Sequence, residues 1–490
     1  MKFKNFTFDV RIIISTLIFF ILFYFPVFHH LDRLPILVWD ESLFSLRALY
    51  MHLTGEYLHN FNLFEGMPNH ANTKLPFTTF FQVMALKIGG INELSIRLPI
   101  VLIFTATVIY MIYHFKTRFN YIWSGFVFGL VAITSVGFVE PHMLRTGDQD
   151  APFACYMILS AIAFLKYLET RKTKPLIGFT IFSLAAVLTK NLMAGLLAPG
   201  ILLFALLTHQ LLSILKDYKF WLACITIIGV YCGVILYYEM QYPGFFERMW
   251  SYELIGRYTT TIENHGKPIL YYLKYLATKQ FAPYLLLLPI VFSIAFVENV
   301  CKKLRNSILC ISCVLFCYLL IISFSKTQTN WYIAPIYLFG AYLIALGSIP
   351  LFKYLNEQTK LYRNVFITGL LFSWLVLYLN VVTINFSTKT ENKDEKYGLF
   401  MKILAKENPS LKKYTLVDNN FGTSAGFYKE MYNRNGLGYE INYKRDVNFD
   451  NNQIIMTCLN NILNPTNEKY NYEVIKQWQE CKLLKINSRK

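Results

Sequence analysis

Ile12-Ile13-Ile14-Ser15-Thr16-Leu17-Ile18-Phe19-Phe20-Ile21-Leu22-Phe23-Tyr24-Phe25-Pro26-Val27-Phe28 is a run of 17 residues without a charge. A helix needs about 17–25 such residues to cross a hydrocarbon layer about 30 Å thick. Lys2, Lys4 and Arg11 precede the run, and His29-His30-Leu31-Asp32 follows it rather than a small-residue cleavage site. It therefore reads as an uncleaved first span running from inside to outside, not as a signal peptide. Comparable runs, broken by short polar loops, recur to about Thr383. Spans are expected near 12–29, 97–115, 121–138, 151–168, 175–189, 192–214, 220–238, 281–298, 307–324, 331–350 and 364–383. That is a polytopic α-helical membrane protein of about eleven, at most about thirteen, spans.

Composition agrees. Of the 490 residues, 55% are hydrophobic and 16% charged, with a mean hydropathy of +0.37, against roughly 25% charged in soluble domains. The net charge of +17 is not a nucleic-acid signal, because the basic residues do not gather on one arm or face. They fall between the apolar runs: the N-terminal group, Lys116/Arg118, Lys166/Arg171/Lys172/Lys174, Lys216/Lys219, Lys302/Lys303/Arg305 and Lys353/Lys360/Arg363. These clusters hold 17 basic residues against 5 acidic neighbours, a net of +12. If all six are cytoplasmic, the positive-inside rule is obeyed. Nine cysteines in 490 residues exclude a disulfide scaffold.

The scheme requires that Leu75–Ile88 not cross the membrane, since a crossing there would invert every later loop. The run is short, carries Lys87, and is bracketed by Lys74-Leu75-Pro76 and Gly89-Gly90, which suits a helix lying in the interface. Residues 31–96 then form one large outer loop with juxtamembrane helices, inside a transmembrane domain 1–384. With an odd number of spans, 385–490 lies opposite the N-terminus. Its Asn-rich composition and turn signals (Asn419-Asn420, Phe421-Gly422, Asn435-Gly436) read as a soluble α/β or α+β domain. Strands are expected at 414–417 and 453–458 and a helix at about 467–480. Cys458 and Cys481 share this domain and its oxidising space, which allows a disulfide.

The unusual polar residues fall on the outer side. Asp40-Glu41 opens an amphipathic helix soon after the first span; the plainer reading is a pair of first-turn acids favoured by the helix dipole. Asp148-Gln149-Asp150 lies between two spans, where the plainer reading is a solvated loop capping the next helix. Lys74, Arg257 and Lys326 with Tyr332 lie in three further outer loops. Each alone is an ordinary headgroup contact, but together they make a cationic pocket for a phosphate. Glu263 and His265 are candidates for a divalent ion, so a metal cofactor stays open. Lys190 reads as a span-end anchor, and Cys310, Cys313 and Cys317 as small packing residues.

Asp40-Glu41, Lys74-x-Pro76, Arg97-Leu98-Pro99, Arg145…Asp148-x-Asp150, Leu188-Thr189-Lys190, Arg257…Glu263-x-His265 and Lys326…Trp331-Tyr332-x-x-Pro335 follow one another in this order. In this the chain resembles the GT-C superfamily of membrane glycosyltransferases, in the branch of aminoarabinose transferase and the protein O-mannosyltransferases. The likeness covers about residues 12–350. It departs where the family often has Lys-Pro-Pro and Leu-Thr-Lys-Gly and this chain has Lys74-Leu75-Pro76 and Leu188-Thr189-Lys190-Asn191.

The resemblance implies a polyprenyl-phosphate sugar donor, transfer on the extracytoplasmic face of a bacterial inner (plasma) membrane, and a lipid (lipid A), protein or glycan acceptor. Asp40 matches the family's catalytic acid and Asp150 the acid of the second loop, with Glu41 and Asp148 as neighbours. Lys74, Arg257 and Tyr332 match the donor-phosphate contacts. The chemistry fits these residue types: a carboxylate takes the acceptor's proton, and fixed cations and hydroxyls stabilise charge growing on the leaving phosphate. Beside membrane lipids, no nucleic-acid partner is expected. A transporter or flippase of lipid-linked saccharides is the alternative, but transporters place ionisable groups at the membrane midplane, where these spans carry almost none.

Overall fold

The structure is a computed structural model and describes residues 10–37, 39–58, 73–140, 142–262, 265–386, 393–418, 423–434, 438–444 and 446–490. The chain divides into two compact units: Met1–His29, Val101–Arg145 and Gln149–Ser387 form one, and His30–Ile100, Thr146–Asp148 and Thr388–Lys490 the other.

Seven helical stretches among the described residues are long and apolar enough to cross a membrane: Glu93–Phe119, Asp150–Thr170, Thr173–Leu207, Tyr218–Gln241, Lys302–Phe324, Asn330–Glu357 and Lys360–Asn385. Counting the sharply bent pair Tyr271–Thr278 and Ala282–Ile294 as one crossing makes eight, and Ile13–Val27 and Ile122–Thr134 are shorter apolar helices. The protein is an integral membrane protein.

Side-chain contacts in the first unit give the path. The helix Asp150–Thr170 stops where Arg171 turns left-handed, φ 52°, and the next helix returns beside it. The hydroxyls of Ser160 and Ser183 meet at 2.7 Å, and Lys190 reaches Asp150. Asn191, at φ 50°, breaks that helix. By Ser213 and Asp217 the chain is back at Arg171, at 2.6 and 3.8 Å. Residues 173–217 therefore span the length of the 150–170 helix twice, outward beside it and back against Lys302–Phe324, where Gly200 meets Val314, although length and composition count a single stretch.

Several basic clusters meet at one end of this unit. The Arg118 guanidinium holds both oxygens of Glu169, at 2.5 and 2.7 Å, and also the Ser307 hydroxyl at 3.2 Å. Tyr167 bonds Asp217. The loops around 118, 170, 215 and 305 thus share an end, as positive-inside charge sorting requires. Asp150 and Lys190 mark the other.

In the second unit, helices Asp40–Thr54 and Phe77–Gly89 pack beside the start of Glu93–Phe119. The 13-residue helix Phe77–Gly89 is about 20 Å long at ~1.5 Å per residue, too short for a crossing. It buries Thr79, Gln82, Val83 and Leu86 and exposes Phe81, Met84 and Ile88, the apolar face expected of an interface helix.

Residues 393–490 carry a five-stranded sheet of order β2-β1-β3-β5-β4: β1 Lys413–Val417, β2 Glu440–Lys444, β3 Ile454–Thr457, β4 Tyr470–Trp478 and β5 Cys481–Arg489. β1 lies parallel to β2 and β3, while β5 is antiparallel to β3 and β4. The expected strands at 414–417 and 453–458 correspond to β1 and β3. The helix expected at 467–480 is instead strand β4, preceded by the helix Asn460–Lys469. Glu473, Lys476 and Gln477 favour a helix locally, but Tyr470, Tyr472, Val474 and Trp478 pair along β5, and pairing prevails. Cys458 and Cys481 are disulfide-bonded. The turn signals at 419–422 and 435–436 lie outside the described residues.

The sequence groups 31–96 with the spans. Physically, those residues share a core with 393–490: Ile36, Leu49, Met51, Val83 and Ile96 pack with Phe400, Leu404, Phe427 and Tyr428.

Two glycines set helix spacing in the first unit. A Cβ at Gly200 would stand 2.3 Å from the Val314 Cα, and one at Gly125 would stand 2.5 Å from the Ile112 Cα. Such backbone approach admits no side chain. Replacing Gly200 by Leu is expected to lower the melting midpoint of the detergent-purified protein, by about 1–3 kcal/mol of overpacking. Gly229→Leu, with nothing within 4 Å of its Cβ position, should leave the midpoint unchanged. Equal midpoints for the two variants would refute the close approach.

Candidate active site

In the second unit, Asp40 and Glu41 stand in the first turn of their helix, where the dipole favours negative charge. Trp39 enters that helix at φ 77°, a backbone conformation that a bulky residue rarely adopts. The two acids face different surroundings. Asp40 is partly exposed and accepts a 2.8 Å hydrogen bond from the Lys74 ammonium. That ammonium also stands 5.5 Å from the Phe44 ring centroid. Arg47 fixes the backbone of Lys74 by donating to its carbonyl at 2.9 Å.

Glu41 is fully buried, and protein donors engage both of its oxygens. Arg97 donates Nε at 2.6 Å and a terminal nitrogen at 2.9 Å. The Gly147 and Leu37 N–H groups each donate at 2.8 Å. Arg97 also donates to the carbonyls of Leu31, Leu34 and Pro35, at 2.9, 2.7 and 2.7 Å. Gly147 lies so close that a Cβ there would be 2.5 Å from Ile96, and the Gln82 amide donates to its carbonyl at 2.8 Å. Glu41 thus ties Arg97, the Gly147 turn and Leu37 to the start of the helix that carries Asp40.

In the first unit a chain of charges and rings forms. Lys190 pairs with the Asp150 carboxylate, with its ammonium 5.4 Å from the centre of the Tyr332 ring. The Tyr332 hydroxyl accepts from Arg257 at 2.5 Å. Arg257 also donates to Glu253 at 3.1 Å and lies 5.1 Å from the Tyr252 ring. Burial works against its charge, but Glu253, Tyr332 and Tyr252 outweigh burial and raise its pKa above the ordinary value.

Backbone stitching fixes this chain. The Thr327 N–H and the Ser325 hydroxyl donate to the Arg257 carbonyl at 2.9 and 2.8 Å. The Tyr318 hydroxyl donates to the Tyr332 carbonyl at 2.9 Å, and the Tyr272 hydroxyl to that of Thr329 at 3.1 Å. Trp331, next to Tyr332, stacks on His142 with ring centres 5.0 Å apart.

Of the sequence candidates, Arg257 and Tyr332 come together in one unit and Asp40 with Lys74 in the other. Asp148 and Asp150 divide between the units. Asp148 is buried and accepts from the Thr146 hydroxyl at 2.7 Å, whereas Asp150 takes Lys190. The Lys326 side chain is exposed, while its backbone N–H donates to the Tyr258 carbonyl at 3.2 Å. Glu263 lies outside the described residues. His265 touches the Trp331 ring edge-on at 6.4 Å between centres. Among the described residues no three His, Cys, Asp or Glu side chains gather as metal ligands. Lys190, read from the sequence as a span-end anchor, is the member not counted among the candidate site residues. Its signal was present in Leu188-Thr189-Lys190, but an isolated lysine at a span end looks like any lipid anchor.

The sequence of residues 69–238 matches the family model of dolichyl-phosphate-mannose-protein mannosyltransferase. No curated protein matches the chain. Among solved structures, ArnT from Cupriavidus metallidurans bound to undecaprenyl phosphate is 11% identical with a TM-score of 0.67, over 98% of this chain and 99% of that one. The Archaeoglobus fulgidus oligosaccharyltransferase in its apo form is 10% identical with a TM-score of 0.57, over 90% of this chain and 64% of that one. In complex with an inhibitory peptide and a dolichol-phosphate, the archaeal enzyme AglB from the same organism gives 10% and 0.52, over 87% and 64%. The chain thus has the fold of the GT-C membrane glycosyltransferases, the superfamily its sequence resembles.

Proposed function

We propose that the protein transfers a sugar from a polyprenyl-phosphate carrier to an acceptor hydroxyl or phosphate on the extracytoplasmic face of the membrane. The observation that carries this reading is the Lys190–Tyr332–Arg257 cluster, in a fold shared with a protein crystallised with undecaprenyl phosphate. A guanidinium and a phenol hydroxyl held 2.5 Å apart, with an ammonium over the same ring, are preorganised donors for an anionic oxygen.

In the proposed step the acceptor oxygen attacks the anomeric carbon. The bond from that carbon to the phosphate oxygen breaks, and its electron pair leaves with the lipid phosphate. Asp40 takes the acceptor proton, with Lys74 holding the carboxylate. Arg257 and Tyr332 bear the charge that grows on the phosphate. Asp150, held by Lys190, orients the acceptor or stabilises positive charge on the sugar. Glu41 acts on position alone.

Three outcomes are expected. Undecaprenyl phosphate should bind the purified protein, measured by native mass spectrometry, and Arg257→Ala should weaken binding at least tenfold; absence of binding by the wild-type chain would sink the donor class. With a panel of polyprenyl-phosphate sugars, Asp40→Asn should cut release of free lipid phosphate by about 100-fold or more, the lower end of general-base effects; an undiminished rate removes Asp40 as base. The Asp150–Lys190 pair is mostly buried, so deleting one partner strands the other. Lys190→Met should therefore melt below the double variant Lys190→Met/Asp150→Asn, and strict additivity would show that the pair is not coupled.

A further inference from the structure

We propose that the C-terminal segment 393–490 is a positioning element for the catalytic loop, with Tyr428 and Lys402 as the residues that do the positioning. The proposal rests on the reading of Asp40 as the base.

Asp40 is reached through residues 31–39. One side of that segment is gripped by Arg97, through the carbonyls of Leu31, Leu34 and Pro35. The other side is gripped from the C-terminal segment. The fully buried Tyr428, on the helix Thr423–Arg434, accepts the Ile36 N–H at 2.8 Å. Its hydroxyl then donates to Glu93 at 2.8 Å, and burial together with Glu93 holds it protonated, well above the ordinary tyrosine pKa. Lys402 adds its ammonium to the same Glu93 oxygen at 2.5 Å. Glu93 is four residues before Arg97, one helical turn away, so both grips are anchored on a single helix.

The packing is equally close. A Cβ at Gly398 would stand 2.4 Å from the Pro35 Cβ, and one at Gly426 would stand 3.3 Å from Leu46. The Ile36 N–H donates to a side chain 392 positions away. A hydroxyl spent in this way contributes little burial and fixes a loop four residues from the proposed base. Its loss would leave a buried donor unsatisfied where the active carboxylate is aimed.

The test uses the full chain in lipid nanodiscs. Tyr428→Phe keeps the ring and removes both hydrogen bonds. It is expected to speed hydrogen exchange across the peptide containing Ile36 and to lower kcat at least tenfold. KM for the lipid-linked donor and binding of undecaprenyl phosphate should not change. A purely structural role would lower the melting point or the yield and leave kcat per folded molecule intact, and that result overturns the proposal. If Tyr428→Phe does not fold, Lys402→Met, which removes one half-buried cation, should lower kcat at least threefold at unchanged KM; unchanged kcat overturns the proposal. Asp40→Asn is measured in parallel. If it retains wild-type turnover, the reading of Asp40 falls. If it is inactive while Tyr428→Phe turns over normally, the positioning role falls alone.

Discussion

The second unit depends on one buried ion pair. Arg97 and Glu41 are both removed from water, and each separately is among the most expensive groups to bury. They are tolerated because four donors meet the Glu41 oxygens and Arg97 completes its fork on three backbone carbonyls. Losing either partner would leave the other charge uncompensated, at about 3–5 kcal/mol. That asymmetry is what makes the pair useful. It ties the loop from Leu31 to Leu37, the turn at Gly147 and two helices to one point, and it does so with directional bonds that admit only one arrangement. Hydrophobic contact could hold these pieces together but would not fix the heading of Asp40.

Much of this was legible in the sequence. The apolar runs gave the class of fold, because a bilayer imposes a single length scale, and the basic clusters around 118, 171 and 305 fall at one end of the first unit, as the spacing of the runs implies. The shortness of the Leu75–Ile88 run was enough to keep it out of the count of crossings. Asp40, Lys74, Arg257 and Tyr332 stood out as polar residues at the ends of apolar runs. Other features were hidden because they depend on partners far away in the chain. Asp40 and Glu41 are adjacent and chemically alike, and only Arg97 and Gly147 separate a half-exposed carboxylate from a buried one. Lys190 is an ordinary lysine until Asp150 and Tyr332 are brought to it. Strand β4 looks helical until β5 arrives to pair with it. In each case local propensity is worth tenths of a kcal/mol per residue, and the tertiary partner decides.

The charges of the first unit obey a similar logic with a different purpose. Asp150, Lys190, Tyr332, Arg257 and Glu253 alternate acid, base, hydroxyl, base and acid. Each cation is already held by a carboxylate, so the donors are in place before any anion arrives. That removes reorganisation from the moment of binding, which is the source of most electrostatic stabilisation in enzyme sites. It also means that Lys190 and Arg257 are neutralised locally, by Asp150 and Glu253, as the chain stands.

The division of the chain carries a further consequence for how the protein is made. The second unit is assembled from His30–Ile100, three residues at 146–148, and Thr388–Lys490. Its core joins Leu49, Val83 and Ile96 to Phe400, Phe427 and Tyr428. A ribosome adding roughly 5–20 residues per second makes the first part of that core tens of seconds before the last. Through that interval Ile36, Leu49, Val83 and Ile96 have only one another to pack on, without Phe400, Phe427 and Tyr428. Biogenesis therefore has a waiting step built into the order of the sequence. Residues 393–490 complete a core that residues 30–100 began, so a chain cut short after Phe386 would keep the long apolar helices of the first unit and still lack this core.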